Sequence, residues 1–246
     1  MKSMTHLLLS ALMLISVCTQ AQETEGFNCG VNLTDGLRIK ERMLANRRNI
    51  PSALIENRAG AVLYVPIQFT IVSDASGNGG ADLEKVLDLF CELNTDFGPI
   101  GVQFYLKDSI QSFRYMNSNA VYNDAQSGGS QNFMTSNKVP DCLNIYTGAS
   151  VNNTSLSYYS SDGDYIFIVH GMMNSTSKVG PHEIGHFFSL PHTFVGWEGY
   201  DFDFTMAPTT VSGIEVENVA RTGPTANCAT AANGLPSHVP TGRENR

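Results

Sequence analysis

The run Pro181-His182-Glu183-Ile184-Gly185-His186-Phe187-Phe188-Ser189-Leu190-Pro191-His192 gathers three imidazoles and a carboxylate. On a helix, residues four apart share a face, so His182 and His186 can turn their rings onto one metal ion. Glu183, one residue along, can then reach a water held by that ion. A catalytic zinc needs three protein ligands and one open coordination position. His192, six residues beyond His186, supplies the third ligand once the chain has left the helix. Pro191 is disfavoured deeper in a helix, which predicts that the helix ends near Leu190. With six histidines in 246 residues, His-Glu-x-x-His arises by chance in roughly one chain in a hundred, and the third histidine cuts that about forty-fold. The metal reading is therefore preferred to one in which these are ordinary polar residues of a half-buried helix. His170 and His238 carry no comparable spacing; His170 reads as the polar end of a strand.

Such a helix must be carried by a scaffold. Residues 62–72, rich in β-branched and aromatic side chains, read as a long strand. Pro66 within it predicts an edge strand or a bulge, since proline cannot donate to a ladder. Across 81–97, Leu83, Val86, Leu87, Leu89, Phe90 and Leu93 recur at helical spacing. Further strands are predicted at 102–106, 112–121, 142–146 and 164–170, the last the most apolar, separated by Ser-, Asn- and Gly-rich loops at 123–140 and 147–163. This order predicts an α+β fold, a twisted mixed sheet with a backing helix and the His-bearing helix packed on it.

The N-terminus has a different character. Lys2, the apolar run Leu7 to Val17 and the small residues around Thr19-Gln20-Ala21 read as a signal peptide over 1–21. The run is too short for a membrane span, which takes about 20 apolar residues. A lipoprotein reading would use Cys18, but Val17 stands where such signals want a small residue. Residues 22–60 are polar and read as a pro-segment or extension, with one helix over 37–45 ended by Pro51 and with Arg47, Arg48 and Arg58 as processing sites. Residues 61–246 then form the catalytic domain. An exported, extracellular or periplasmic protein is expected. A net charge of −8 argues against nucleic-acid binding. The basic cluster from Arg38 to Arg48 reads as a solvated helix face. Cys29, Cys91, Cys142 and Cys228 allow three complete disulfide pairings, left open by sequence. The sequons at Asn32, Asn152, Asn153 and Asn174 matter only in a eukaryotic secretory pathway.

The triple-histidine pattern resembles the metzincins. The fuller run through Thr193 and Phe194 looks like the pappalysin family of ulilysin-like zinc metalloproteases. The similarity extends to the strand near Val62, to Gly101-Val102-Gln103-Phe104-Tyr105-Leu106 and to Asn227-Cys228-Ala229-Thr230. The resemblance implies a zinc endopeptidase acting on proteins or peptides. Its active-site helix closes an N-terminal subdomain, and an irregular C-terminal one follows. Glu183 would be the general base and His182, His186 and His192 the metal ligands. Glu183-assisted attack of zinc-bound water on the peptide bond is the expected chemistry. Calcium is implied by resemblance alone, with no ligands assigned; Glu198, Asp201 and Asp203 read as a solvated loop.

Three features depart from the family pattern. Ser189 stands where many metzincins have glycine, at a turn toward the third histidine. Met206 lies upstream of the Cys228 stretch, where the resemblance would not place a Met-turn. The tail from Gly234 no longer matches, so the C-terminal part reads as incomplete, and a catalytically incomplete zinc- or peptide-binding relic is the alternative reading. An adhesin-like β-domain with an accidental motif is a third. Cys29-Gly30-Val31 resembles the pro-segment cysteine that fills the fourth zinc position in some metzincins; a disulfide or an idle thiol is the competing reading.

Overall fold

Strand β1 (Leu63–Ser73) is the spine of the structure. The computed structural model describes residues 29–49, 61–152, 156–174, 177–192, 210–211 and 214–215. The expectations for the signal peptide, Pro51, Arg58, the Thr193-onward loop with Glu198, Asp201 and Asp203, Met206, Cys228 and the tail from Gly234 lie outside those residues.

Helix α1 (Leu33–Asn49) precedes β1, and helix α2 (Leu83–Phe97) follows it. The chain continues through β2 (Val102–Leu106), β3 (Phe113–Asn117), short helices α3 (Asn119–Asn123) and α4 (Gly128–Ser136), and β4 (Leu143–Gly148). Strands β5 (Tyr158–Ser160) and β6 (Tyr165–Val169) lead to helix α5 (Val179–Phe187). A separate two-stranded ribbon pairs β7 (Thr210–Val211) with β8 (Ile214–Glu215).

The main sheet has six strands in the order β2-β1-β4-β6-β5, with β3 also beside β1. Every pairing is parallel except β5 with β6. Parallel strands are covered on both faces, which accounts for the continuous apolar character of β6 and for the burial of all six residues of β4. On one face, Phe69, Ile145 and Ile166 meet α2 through Val86, Leu89 and Leu93, and Phe69 meets Phe90 edge-on at 6.3 Å. Helix α5 lies on that face too, with Gly180 against Leu89 and Ile168. On the opposite face the Tyr146 hydroxyl donates to the Met134 carbonyl of α4 at 2.8 Å.

The α+β expectation holds, with sheet, backing helix and His-bearing helix in place. Several details are corrected. β1 is interior, although Pro66 predicted an edge or a bulge. Leu63 N–H and Ile67 C=O both turn toward β2, so Pro66, an odd number of residues from each, turns its missing N–H the other way. There β4 starts only opposite Ile67, so no bond is lost. The expected strand 112–121 is shorter, because Ser118 caps α3 by accepting from the Val121 amide. The expected loops at 123–140 and 147–163 contain α4 and β5. The N-terminal helix spans 33–49 rather than 37–45. Among the described residues no helix is long and apolar enough to cross a membrane.

Candidate metal centre

Helix α5 begins without a side-chain cap of its own at Lys178. Pro181 falls in its first turn, where its missing N–H costs nothing. Val179, Gly180 and Ile184 are buried against the sheet and α2, leaving His182 and His186 on the other side. The helix ends at Phe187, earlier than the predicted Leu190. Ser189 N–H donates to His186 C=O at 2.8 Å and Leu190 N–H to Gly185 C=O at 2.9 Å. This pair of bonds is the usual left-handed helix stop, with the left-handed residue at Ser189. Ser189 has φ +68°, the conformation that favours glycine. The turn expected there is made, and it swings His192 back over the helix. The side chain of that strained residue is buried and tied down, since the Asn46 side chain of α1 donates to Ser189 Oγ at 3.4 Å.

The three Nε2 atoms converge. They lie 3.0 Å (His182–His186), 3.1 Å (His186–His192) and 3.2 Å (His182–His192) apart. Cys29 Sγ comes within 3.6 Å of His186 Nε2. Among the described residues these four side chains form the group able to hold a metal ion. Zinc–nitrogen bonds near 2.0–2.1 Å and a zinc–sulfur bond near 2.3 Å in a tetrahedron require N···N of about 3.3 Å and N···S of about 3.6 Å. The separations observed are close to those values, so the donor set fits zinc.

Protonation agrees with that fit. His186 Nδ1 faces the Leu190 carbonyl at 2.7 Å. A carbonyl only accepts, so Nδ1 carries the proton and Nε2 offers its lone pair, the second bond that commonly orients a metal-binding histidine. Burial, then the neighbouring imidazoles, hold His182 down to about 3; burial chiefly holds His186 down to about 4. Three buried or half-buried imidazoles whose Nε2 atoms face one another are arranged for a cation.

Glu183 is wholly buried beside them. Neither carboxylate oxygen makes a hydrogen bond of normal geometry. Burial raises its pKa to about 8, tempered by the Cys29 thiol and the Tyr159 backbone. A buried carboxylate left this way suits proton transfer near neutrality.

The segment around Cys29 reaches this centre as an added strand. Cys29 pairs in parallel with Ser157, just ahead of edge strand β5, and Gly30 N–H donates to Ser157 C=O at 2.8 Å. Helix α1 then lies along the β5–β6 hairpin. Arg38 reaches Asp162 at 2.6 Å, Arg42 reaches Asp164 at 3.5 Å and bonds Tyr159 Oη, and Ser161 Oγ donates to Asp35. The basic cluster read as a solvated face is thus partly engaged. Sequence reasoning missed these partners because Asp162 sits in what looked like a polar loop and Asp164 at the start of the apolar strand expected after it. No disulfide joins Cys29, Cys91 or Cys142 to one another. Each of the three complete pairings would need one such bond, so none of them is formed. His170 lies one residue past the end of β6, in the short 3-10 turn 170–172 rather than in the strand expected over 164–170, within 3.1 Å of Thr147 Oγ1. Burial lowers its pKa.

No protein-family profile matches this chain. No curated protein matches it either. Eight chains of solved structures do match. One is mirolysin in complex with compound 9, at 13% identity and a TM-score of 0.45, over 70% of this chain and 81% of that one. A likeness that distant has no bearing on chemistry.

Proposed function

We propose that this chain is an exported zinc-dependent endopeptidase of metzincin type, related to the pappalysins, whose N-terminal segment holds it latent. The observation that carries the reading is the meeting of three Nε2 atoms and one thiol around a point beside a buried, unbonded carboxylate. His182, His186 and His192 would hold the ion. Zinc, when bound, lowers the pKa of a water from 15.7 to about 7 and polarises a carbonyl. Glu183 takes the water's proton as the peptide carbonyl is attacked and returns it to the leaving amine. Strand β5 is the last strand of the sheet among the described residues, and once the Cys29 segment leaves its edge a peptide substrate is held there by added-strand pairing. Cys29 and the parallel bridge at Ser157 use the same edge and the fourth metal position, which keeps substrate and water out until the segment leaves.

Metal analysis of the purified chain, with casein digestion in the presence and absence of chelator, tests the reading. One zinc per chain and chelator-sensitive digestion are expected once the segment is removed. Glu183→Gln is expected to keep zinc and lose turnover by about 10²-fold or more. Cys29→Ser is expected to raise the activity of the full-length chain. A chain that binds no zinc, or a Glu183→Gln variant that still digests casein, sinks the proposal.

A further inference from the structure

Glu92 is a carboxylate where none is expected. It lies on α2 among Val86, Leu89 and Leu93, its side chain is 3% exposed, and its Oε2 has no hydrogen-bond partner. Its Oε1 lies 3.2 Å from Lys178 Nζ. The same ammonium reaches Asp96, one turn further along α2, at 2.9 and 3.1 Å. Lys178 is the residue immediately ahead of α5, and that end of α5 has no side-chain cap from Lys178. Beside it the backbone of α5 packs directly on a leucine side chain of α2. A Cβ on Gly180 would stand 2.3 Å from Leu89 Cδ1.

Resting on the metal reading above, we propose that Glu92, Asp96 and Lys178 are positioning residues that set the rotation and axial register of α5, and so the aim of His182, Glu183 and His186. Here only the carboxylate of the pair is buried, beneath an exposed Lys178. An ion pair on a buried group contributes little net stability compared with apolar replacements, but it admits one arrangement where an apolar contact would slide. The Gly180–Leu89 contact and the burial of Val179 and Ile184 hold α5 against its neighbours without direction-specific bonds. The ammonium between two carboxylates one turn apart adds a directional restraint on rotation and sliding. The carboxylates also lie at the positive end of the α5 dipole, which favours them there. His182 is one turn on from Lys178, so a displacement at the clamp is carried directly to the first imidazole.

The test is a full-length double variant, Glu92→Gln with Lys178→Met, in which both charges go and the packing volume is kept. Three quantities are measured: melting temperature without metal, zinc affinity by competition with a chromophoric chelator, and the visible spectrum of the Co(II)-substituted protein. The double variant is expected to melt close to wild type yet bind zinc more weakly by about 10–100-fold, the range lost when groups supporting metal ligands are removed. Its cobalt bands are expected to shift, and Lys178→Arg alone is expected to keep wild-type affinity. Equal zinc affinity and an unchanged cobalt spectrum in the double variant overturn the clamp and leave the metal reading intact. Failure of the wild-type chain to bind zinc overturns that reading, and the clamp with it.

Discussion

Two elements flank the histidine cluster, and they are attached in opposite ways. Helix α5 is held mainly from within: Val179, Gly180 and Ile184 are buried, and Lys178 at its start, itself 61% exposed, reaches Asp96 and a Glu92 carboxylate that is only 3% exposed. Helix α1 is held largely from outside. Its ion pairs join side chains that are 48% and 75% exposed (Arg38–Asp162) and 35% and 50% exposed (Arg42–Asp164). Among the described side chains of α1, Ile39 and Met43, with Val31 ahead of the helix, are the buried apolar anchors. On the proposed reading, the difference separates a part that stays from a part that leaves. The permanent helix is fixed chiefly by buried apolar contacts, with an exposed Lys178 reaching down to one buried carboxylate. The segment that covers the site rests on a few apolar anchors and a rim of screened charges.

The strongest challenge to this contrast is Ile39→Ala. Removing a fully buried isoleucine typically costs about 2–5 kcal/mol. The loss is expected to fall on α1 alone, with faster hydrogen exchange of its amides, unchanged protection in β1, β4 and β6, and earlier onset of casein digestion. Equal loss of protection throughout the sheet would make α1 part of the permanent core.

Acid and base sharpen the comparison from the side of α5 in the metal-free protein. His182 and His186 have folded pKa values near 3 and 4 against an ordinary 6.5. The unfolded chain therefore binds more protons between those values, and stability falls as pH drops below 6.5. Glu183 works in reverse: folded, it keeps its proton up to about 8 against an ordinary 4.5, so stability falls as pH rises across that window. Melting temperatures from pH 4.5 to 8 in chelator are expected to show both trends, and Glu183→Gln is expected to remove only the alkaline one. An alkaline decline that persists in Glu183→Gln would assign it to another group.

The smallest effect is expected from Arg38→Ala with Arg42→Ala. Exposed pairs contribute about 0.2–1 kcal/mol each and are screened by salt. Release of the segment is expected to quicken only a few-fold, and high salt to mimic the double variant. A change as large as that from Ile39→Ala would mean that the charged rim, not the apolar anchors, holds the segment.

Much of the site was legible because its chemistry is local. His182, Glu183 and His186 sit on one helix, and His192 lies a short turn beyond, so spacing alone brings them together. Ser189 was read as a turn residue from a position that resembled glycine in a known pattern, and its φ of +68° agrees. The contacts that support the site were not legible. Glu92 and Lys178 are 86 positions apart, and an acidic residue on an apolar helix face was the one signal that could have marked the first of them. Cys29 and His186 are 157 apart, and only a resemblance suggested their meeting. The central place of β1 was hidden by Pro66, because a proline's cost depends on which neighbour its nitrogen faces, and register is a tertiary property.

Pro66 has a second effect through the residues before it. Val62, Leu63 and Tyr64 are apolar and exposed, and on the side away from β2 this stretch precedes the start of β4. Among the described residues, that leaves a short strand margin without a partner, of the kind on which chains associate and aggregate. The pyrrolidine ring breaks its row of donors at the point where a foreign strand would have to continue. The residue that could have disrupted the sheet thus acts as a gatekeeper for its solubility, at no cost to the hydrogen bonds inside.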